Sequence, residues 1–223
     1  MATNNEFIRE VDEEYRRDQV AKIWQRYSGL IVALVVLLVA LVGGWRYWQY
    51  MEQTRAEAAA VRFEDALKLS RDGNGDEARK ALEALATDSA AGYALLGRFR
   101  LAAEIGKANA EEGAKAFDAL ATGAGIEAPW QDLARLRAAM LRLDTADPAA
   151  TRQSLESLAS PTGAWRHTAR ELLGLSGLKA GDMDMAGRWF DQIAADRETP
   201  AALRQRLQVY TALVAGGPVP ATQ

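Results

Sequence analysis

Residues 171–190 read Glu171-Leu172-Leu173-Gly174-Leu175-Ser176-Gly177-Leu178-Lys179-Ala180-Gly181-Asp182-Met183-Asp184-Met185-Ala186-Gly187-Arg188-Trp189-Phe190. Gly181-Asp182 is a turn signal between two segments of helical character. Gly174 and Ala186 stand 12 residues apart on either side of it. The arrangement recurs: Ala66, Ala102, Ala138 and Gly174 are each 36 residues apart, and so are Ala78, Ala114, Ala150 and Ala186. Turn-formers lie between the two small positions of every copy, at Gly73-Asn74, Asn109-Ala110, Asp147-Pro148 and Gly181-Asp182. A small side chain lets two backbones approach, so each copy is expected to be a pair of helices touching at Ala or Gly.

The pattern resembles the tetratricopeptide repeat, whose period is about 34. The last copy carries the resemblance best, with Leu173-Gly174, Gly181-Asp182, Ala186 and Phe190 at the repeat's Leu-Gly, turn, Ala and aromatic positions. The second keeps Leu101-Ala102 and Ala114, while the first and third have Asp65 and Arg137 where Leu is expected. The two extra residues per period fall between units, near Thr122-Gly123-Ala124-Gly125 and Ser160-Pro161-Thr162-Gly163. The alternative in an Ala-rich chain is a helical bundle without repeats; both readings are all-α. Thr199-Pro200 reads as an N-cap followed by proline at the first helical position. Leu203, Leu207, Tyr210 and Leu213 then recur, giving one unpaired helix that closes the solenoid's end. The expectation is an α-solenoid of about four helix pairs plus a closing helix over residues 46–215, with a disordered terminus at 216–223.

A second stretch fixes where this domain sits. Residues 27–45, from Tyr27 to Trp45, carry no charge and are nearly all aliphatic or glycine. As a helix, 19 residues reach ~28 Å, close to the ~30 Å apolar core of a bilayer. Trp24 and Tyr27 mark the start of the run; Trp45, Tyr47, Trp48 and Tyr50 mark its end. Such rings favour the headgroup level, with the apolar body inside and the polar tip wet. A buried core helix would not carry both aromatic belts. A cleaved signal peptide would end in a small-residue site, which does not follow the run. An uncleaved signal anchor is therefore expected, making the lipid bilayer a partner, with a tail at residues 1–26 and no break after Trp45 until Asp72-Gly73-Asn74-Gly75. Within the tail, Phe7, Val11 and Tyr15 recur at helical spacing; it reads either as a short amphipathic helix or as a solvated segment.

Charge gives the orientation. Residues 7–27 hold five basic side chains (Arg9, Arg16, Arg17, Lys22, Arg26), and residues 45–65 hold three. That bias places the N-terminus in the cytoplasm and the large domain outside it, in the bacterial periplasm. The net charge of −3 offers no basic excess for nucleic acid. Cysteine is absent, which suits an oxidising compartment without requiring one.

Gly44-Trp45-Arg46-Tyr47-Trp48 at the exit of the span, Tyr93-Ala94-Leu95-Leu96, Leu178-Lys179-Ala180-Gly181-Asp182 and Thr199-Pro200-Ala201 together resemble the YfgM-like family. That resemblance implies a single-span inner-membrane protein with a periplasmic repeat domain. It implies as partners the SecYEG translocon and a membrane-anchored periplasmic chaperone of the prolyl-isomerase type. The tail is longer and more charged than the family pattern.

Little in the chain points to catalysis. No thiol exists, and His167 is the one histidine, whereas zinc sites usually gather two or more His or Cys ligands. Neither a nucleophile elbow nor a phosphate-binding loop is present. The expectation is a protein that is not an enzyme and takes no cofactor. By resemblance to the repeat, groove-facing positions on the first helix of each pair include Phe63, Leu67 and Arg71; Phe99, Ala103 and Lys107; Arg135 and Arg142; and Leu175, Leu178 and Lys179. They form a candidate peptide groove, with core packing as the alternative for Phe63 and Phe99. The function expected is a non-enzymatic interaction module tethered beside the secretion channel; the alternative is a scaffold for envelope assembly or division machinery.

Overall fold

The structure is a computed structural model that describes residues 3–87 and 91–217. Of the terminus expected to be disordered at 216–223, Gly216 instead ends the last helix, and residues 218–223, like the side chains of the expected tail stripe Phe7, Val11 and Tyr15, lie outside what is described. Among the described residues the chain is all-helical, with nine helices and no strand. It divides into two compact units, Met1–Glu57 and Ala58–Gln223.

Among the described residues the first unit is formed by α1 (Thr3–Arg71), which also contributes to the second. Its apolar stretch is unpacked: every residue from Tyr27 to Tyr50 is solvent-facing except half-buried Ser28. Such a surface is untenable in water on a helix of this length. α1 is therefore a candidate membrane anchor near the N-terminus.

The second unit holds the end of α1 and eight further helices. They are α2 (Gly75–Ala86), α3 (Ala91–Ala108), α4 (Ala110–Ala121), α5 (Ala128–Arg142), α6 (Pro148–Leu155), α7 (Arg166–Ala180), α8 (Met183–Ala195) and α9 (Ala201–Gly216). From α2 onward each helix packs on the next in sequence, the nearest-neighbour pattern of a solenoid. Turn chemistry starts the second helices. Asn109 Oδ1 accepts the N–H groups of Glu111 and Glu112 at 3.0 and 3.2 Å, and Asp182 accepts from Met185 N–H at 2.8 Å. Asp147 caps α6 ahead of Pro148. Gly181 ends α7 at φ +74°, with Asp182 N–H returning to Gly177 O at 3.0 Å, a closure that favours glycine.

Small residues seat the helices where the 36-residue register puts them, with one exception. Ala66, Ala102, Ala138 and Gly174 are buried, as are Ala78, Ala114 and Ala186. The tightest approach in the last pair differs in detail. A Cβ added to Gly177 would stand 2.9 Å from Ala186 N, while one on Gly174 would enter the Phe190 ring at 2.3 Å. Ala186 thus rests on Gly177, and Gly174 makes room for Phe190. In the second pair α3 and α4 meet at Gly106 and Gly113, where an added Cβ on Gly113 would be 2.4 Å from Gly106 Cα. Ala150 is the exception: it is exposed. α6 is only eight residues long, and the space between it and α5 stays open as a cavity of about 140 Å³ lined by Ala138, Ala139, Ala150 and Thr151. Thr151 and Leu155 are buried in its stead.

The core is a series of local layers. Ala102, Phe117, Leu120 and Ala134 join α3, α4 and α5; Leu136, Leu155, Leu172 and Leu173 join α5, α6 and α7; Ala186, Phe190, Ile193, Leu203 and Leu207 join α8 to α9. The expected cap of α9 is corrected. Thr199 is buried, and its Oγ1 donates to Ile193 O at 2.7 Å. The hydroxyl satisfies a carbonyl near the end of α8, so α9 starts without a side-chain cap.

The contact of Ala186 with Gly177 leaves no room for a branched chain. Ala186→Leu is expected to destabilise the repeat domain by ~1–3 kcal/mol or more through overpacking. Urea unfolding of residues 46–223 checks this; a freely exposed helical alanine would leave the midpoint unchanged, because Leu is also a good helix former.

Candidate interaction groove

The groove is built around Phe99. Its ring meets Phe117 at 5.9 Å and Trp130 at 5.6 Å between centroids, which joins α3, α4 and α5 by aromatic edges. One side of Phe99 packs on the buried layer of these helices. The other opens into a cavity of about 500 Å³, lined by Phe63, Leu96, Arg100, Ala103, Leu133, Arg137, Met140 and Leu141 together with Phe99, Phe117 and Trp130. Leu96 and Met140 are 36% and 45% exposed. Solvated Leu and Met side by side along a concave wall are a feature of binding surfaces.

Beneath this wall lies a polar cluster. Ser70 Oγ donates to Glu104 Oε2 at 2.7 Å and accepts from Arg100 Nη2 at 2.8 Å and Lys107 Nζ at 2.9 Å. Lys107 also pairs with Glu104 at 2.9 Å. Burial pushes the Glu104 carboxyl up, but the hydrogen bonds from Lys107 and Ser70 and the nearby cations outweigh it, so its pKa lies below the ordinary value. Arg100 Nε is buried and has no partner.

Of the sequence candidates, Phe63, Phe99 and Ala103 come together in this groove. The others go elsewhere. Leu67 and Leu175 are half-buried and Arg71 is exposed. Lys107 is held by Ser70 and Glu104. Arg135 pairs with Asp132 at 2.8 Å. Arg142 clasps Glu111 at 2.9 Å and Asp118 at 2.7 Å, tying α5 to α4. Leu178 packs on the layer beneath α9, and Lys179 Nζ donates to Leu143 O at 3.1 Å. Leu96, Trp130, Arg137 and Met140 were not legible as groove residues. In the first unit, Trp24, Tyr27, Trp45, Tyr47 and Trp48 are all exposed, with Trp45 and Trp48 in ring contact at 5.8 Å.

His167 lies in a different cluster at the base of α7. Arg166 Nε and Arg170 Nη1 donate to Asp196 Oδ2 at 2.7 and 3.3 Å, and Arg166 also pairs with Glu198. The Arg166 hydrogen bonds hold Asp196 far below the usual carboxylate range. His167 Nδ1 is 3.3 Å from Thr199 Oγ1 and 3.8 Å from Asp196 Oδ2. It packs here as a structural ring. Among the described residues no three His, Cys, Asp or Glu side chains gather into a metal-sized group.

The tetratricopeptide repeat-like domain model matches residues 22–211. The chain belongs to this family. Domains of the class are typically non-catalytic modules for protein interaction. No curated protein and no solved structure matches the chain.

Burial, then the Arg166 charge, lowers the His167 pKa below 6.5, and Asp196 opposes only in part. The folded protein therefore binds this proton less readily than the unfolded chain. The contribution is fully present above pH ~6.5 and is lost as pH falls through that value toward the folded pKa. The stability of wild type is expected to drop between pH 7.5 and 5.5 more than that of His167→Asn. Parallel denaturant titrations at the two pH values measure the difference.

Proposed function

We propose that the chain is a membrane-tethered, non-enzymatic interaction module of the bacterial inner membrane, and that its partners are the SecYEG translocon and a membrane-anchored periplasmic chaperone. The observation that carries this reading is the joining, in one chain, of an unpacked apolar helix and a tetratricopeptide repeat-like domain. The family resemblance of the Trp45-Arg46-Tyr47-Trp48 exit and of the last repeat supports the choice of partner. Tethering raises the effective concentration of a partner at the channel exit, so weak contacts suffice there. Phe63, Leu96, Phe99, Ala103, Trp130 and Met140 form the docking surface, which is apolar and shaped to hold a segment of chain.

The charge bias around the span supports a cytoplasmic N-terminus and a periplasmic repeat domain. Protease added to spheroplasts should degrade the domain and spare the tail; a protected domain would invert the topology and remove the periplasmic partners.

A photo-crosslinking amino acid at Leu96 or Met140 in living cells should capture translocon subunits or a periplasmic prolyl isomerase, and the same probe at exposed Arg71 should not. Crosslinks to cell-wall synthesis or division enzymes instead would replace the translocon reading with that of an envelope scaffold.

A further inference from the structure

We propose that the occupant of the Phe99 groove is a peptide segment whose apolar side chains flank an acidic one. This rests on the reading of the groove as a docking surface and names what it selects. The walls are aromatic and aliphatic, and among the described residues the charged side chains along them are Arg100 and Arg137. No carboxylate among the described residues lines the groove, although the whole protein carries a net charge of −3. The local sign is opposite to the global one.

Both guanidinium groups have unspent capacity. Arg137 is exposed and makes no ion pair or side-chain hydrogen bond among the described residues. Arg100 spends Nη2 on Ser70 and its Nε is buried without an acceptor, but the side chain stays one-third exposed toward solvent. The nearest carboxylate, Glu104, is 3.8 Å from Arg100 Nη2 and already takes Ser70 and Lys107. A wholly apolar partner would cover Arg137 and the exposed part of the Arg100 side chain, stripping water from two cations with nothing in return. A basic partner would add repulsion. An Asp or Glu placed among Leu, Met or aromatic residues offers these cations an acceptor while its neighbours fill the walls, so affinity and discrimination come from one arrangement.

The test uses the full chain in lipid nanodiscs and a displayed library of random twelve-residue peptides. Sequences enriched on wild type should carry Asp or Glu beside Phe, Trp, Leu or Met. A synthetic, C-terminally amidated peptide from that pool should bind about tenfold more weakly when its acid is changed to the amide, the scale of one charge-assisted hydrogen bond. Arg137→Glu, a change at an exposed side chain, should weaken the acidic peptide at least as much and should select Lys or Arg on repanning. The double variant Leu96→Ser, Met140→Ser reports whether a peptide sits in the groove at all. Peptides that lose binding in the double variant but show no acid preference, and no response to Arg137→Glu, overturn this proposal and leave the docking surface standing. Peptides indifferent to the double variant, or no enriched sequence, overturn both.

Discussion

Two backbones pressed together at Gly and Ala are the contact on which the other layers depend. Gly106 against Gly113 and Gly177 against Ala186 leave no space for even a methyl group. Closeness at these points lets larger side chains nearby interlock: Phe117 reaches Phe99, and Phe190 lies over Gly174. The magnitudes agree with this order. Overpacking such a contact costs ~1–3 kcal/mol, whereas an exposed ion pair such as Arg152–Glu156 is worth ~0.2–1 kcal/mol. The third pair shows the converse. Without a glycine contact and with a short second helix, α5 and α6 remain apart around a cavity.

The repeat period was legible because it is a backbone property. It reappears as hydrogen bonds between equivalent places in successive units: Trp165 Nε1 donates to Pro129 O, and Lys179 Nζ to Leu143 O, each across 36 residues. The failure at Ala150 has a local cause. No glycine or proline follows Leu155 until Pro161, yet the helix tightens into turns there, with Leu158 and Ala159 N–H both returning to Leu155 O. Leu155, Leu158 and Ala159 are all buried, so tertiary packing overrides the continuing helical pattern. A spacing rule cannot register that competition.

The groove was legible only in its centre. Phe63, Phe99 and Ala103 follow from the register, but Trp130 enters from the first turn of α5, outside the repeat's groove positions, and reaches the site by stacking on Phe99. The basic candidates diverged because each found a nearer acceptor. Arg135 has Asp132 one turn earlier, Lys107 has Glu104, Lys179 has a carbonyl of the preceding unit, and Arg142 has two carboxylates on α4. A position predicts which way a side chain leaves its helix; its charge then takes the closest partner, which belongs to another element.

The closing helix separates energy from register. Leu203 and Leu207 are buried, and Tyr210 stacks on Phe190 with centroids 5.1 Å apart, which continues the core outward as the end of a solenoid requires. Apolar contact of this kind tolerates sliding by a turn. Glu171 does not. It is buried on α7, and Arg206 grips it with two bonds of 2.8 and 2.9 Å while the Tyr210 hydroxyl donates at 3.0 Å. Displacing α9 by one turn would leave that carboxylate without its cation, and an unpaired buried charge costs more than the pair itself contributes. The apolar face therefore holds α9 in place, and Glu171 selects the one register in which it can stay.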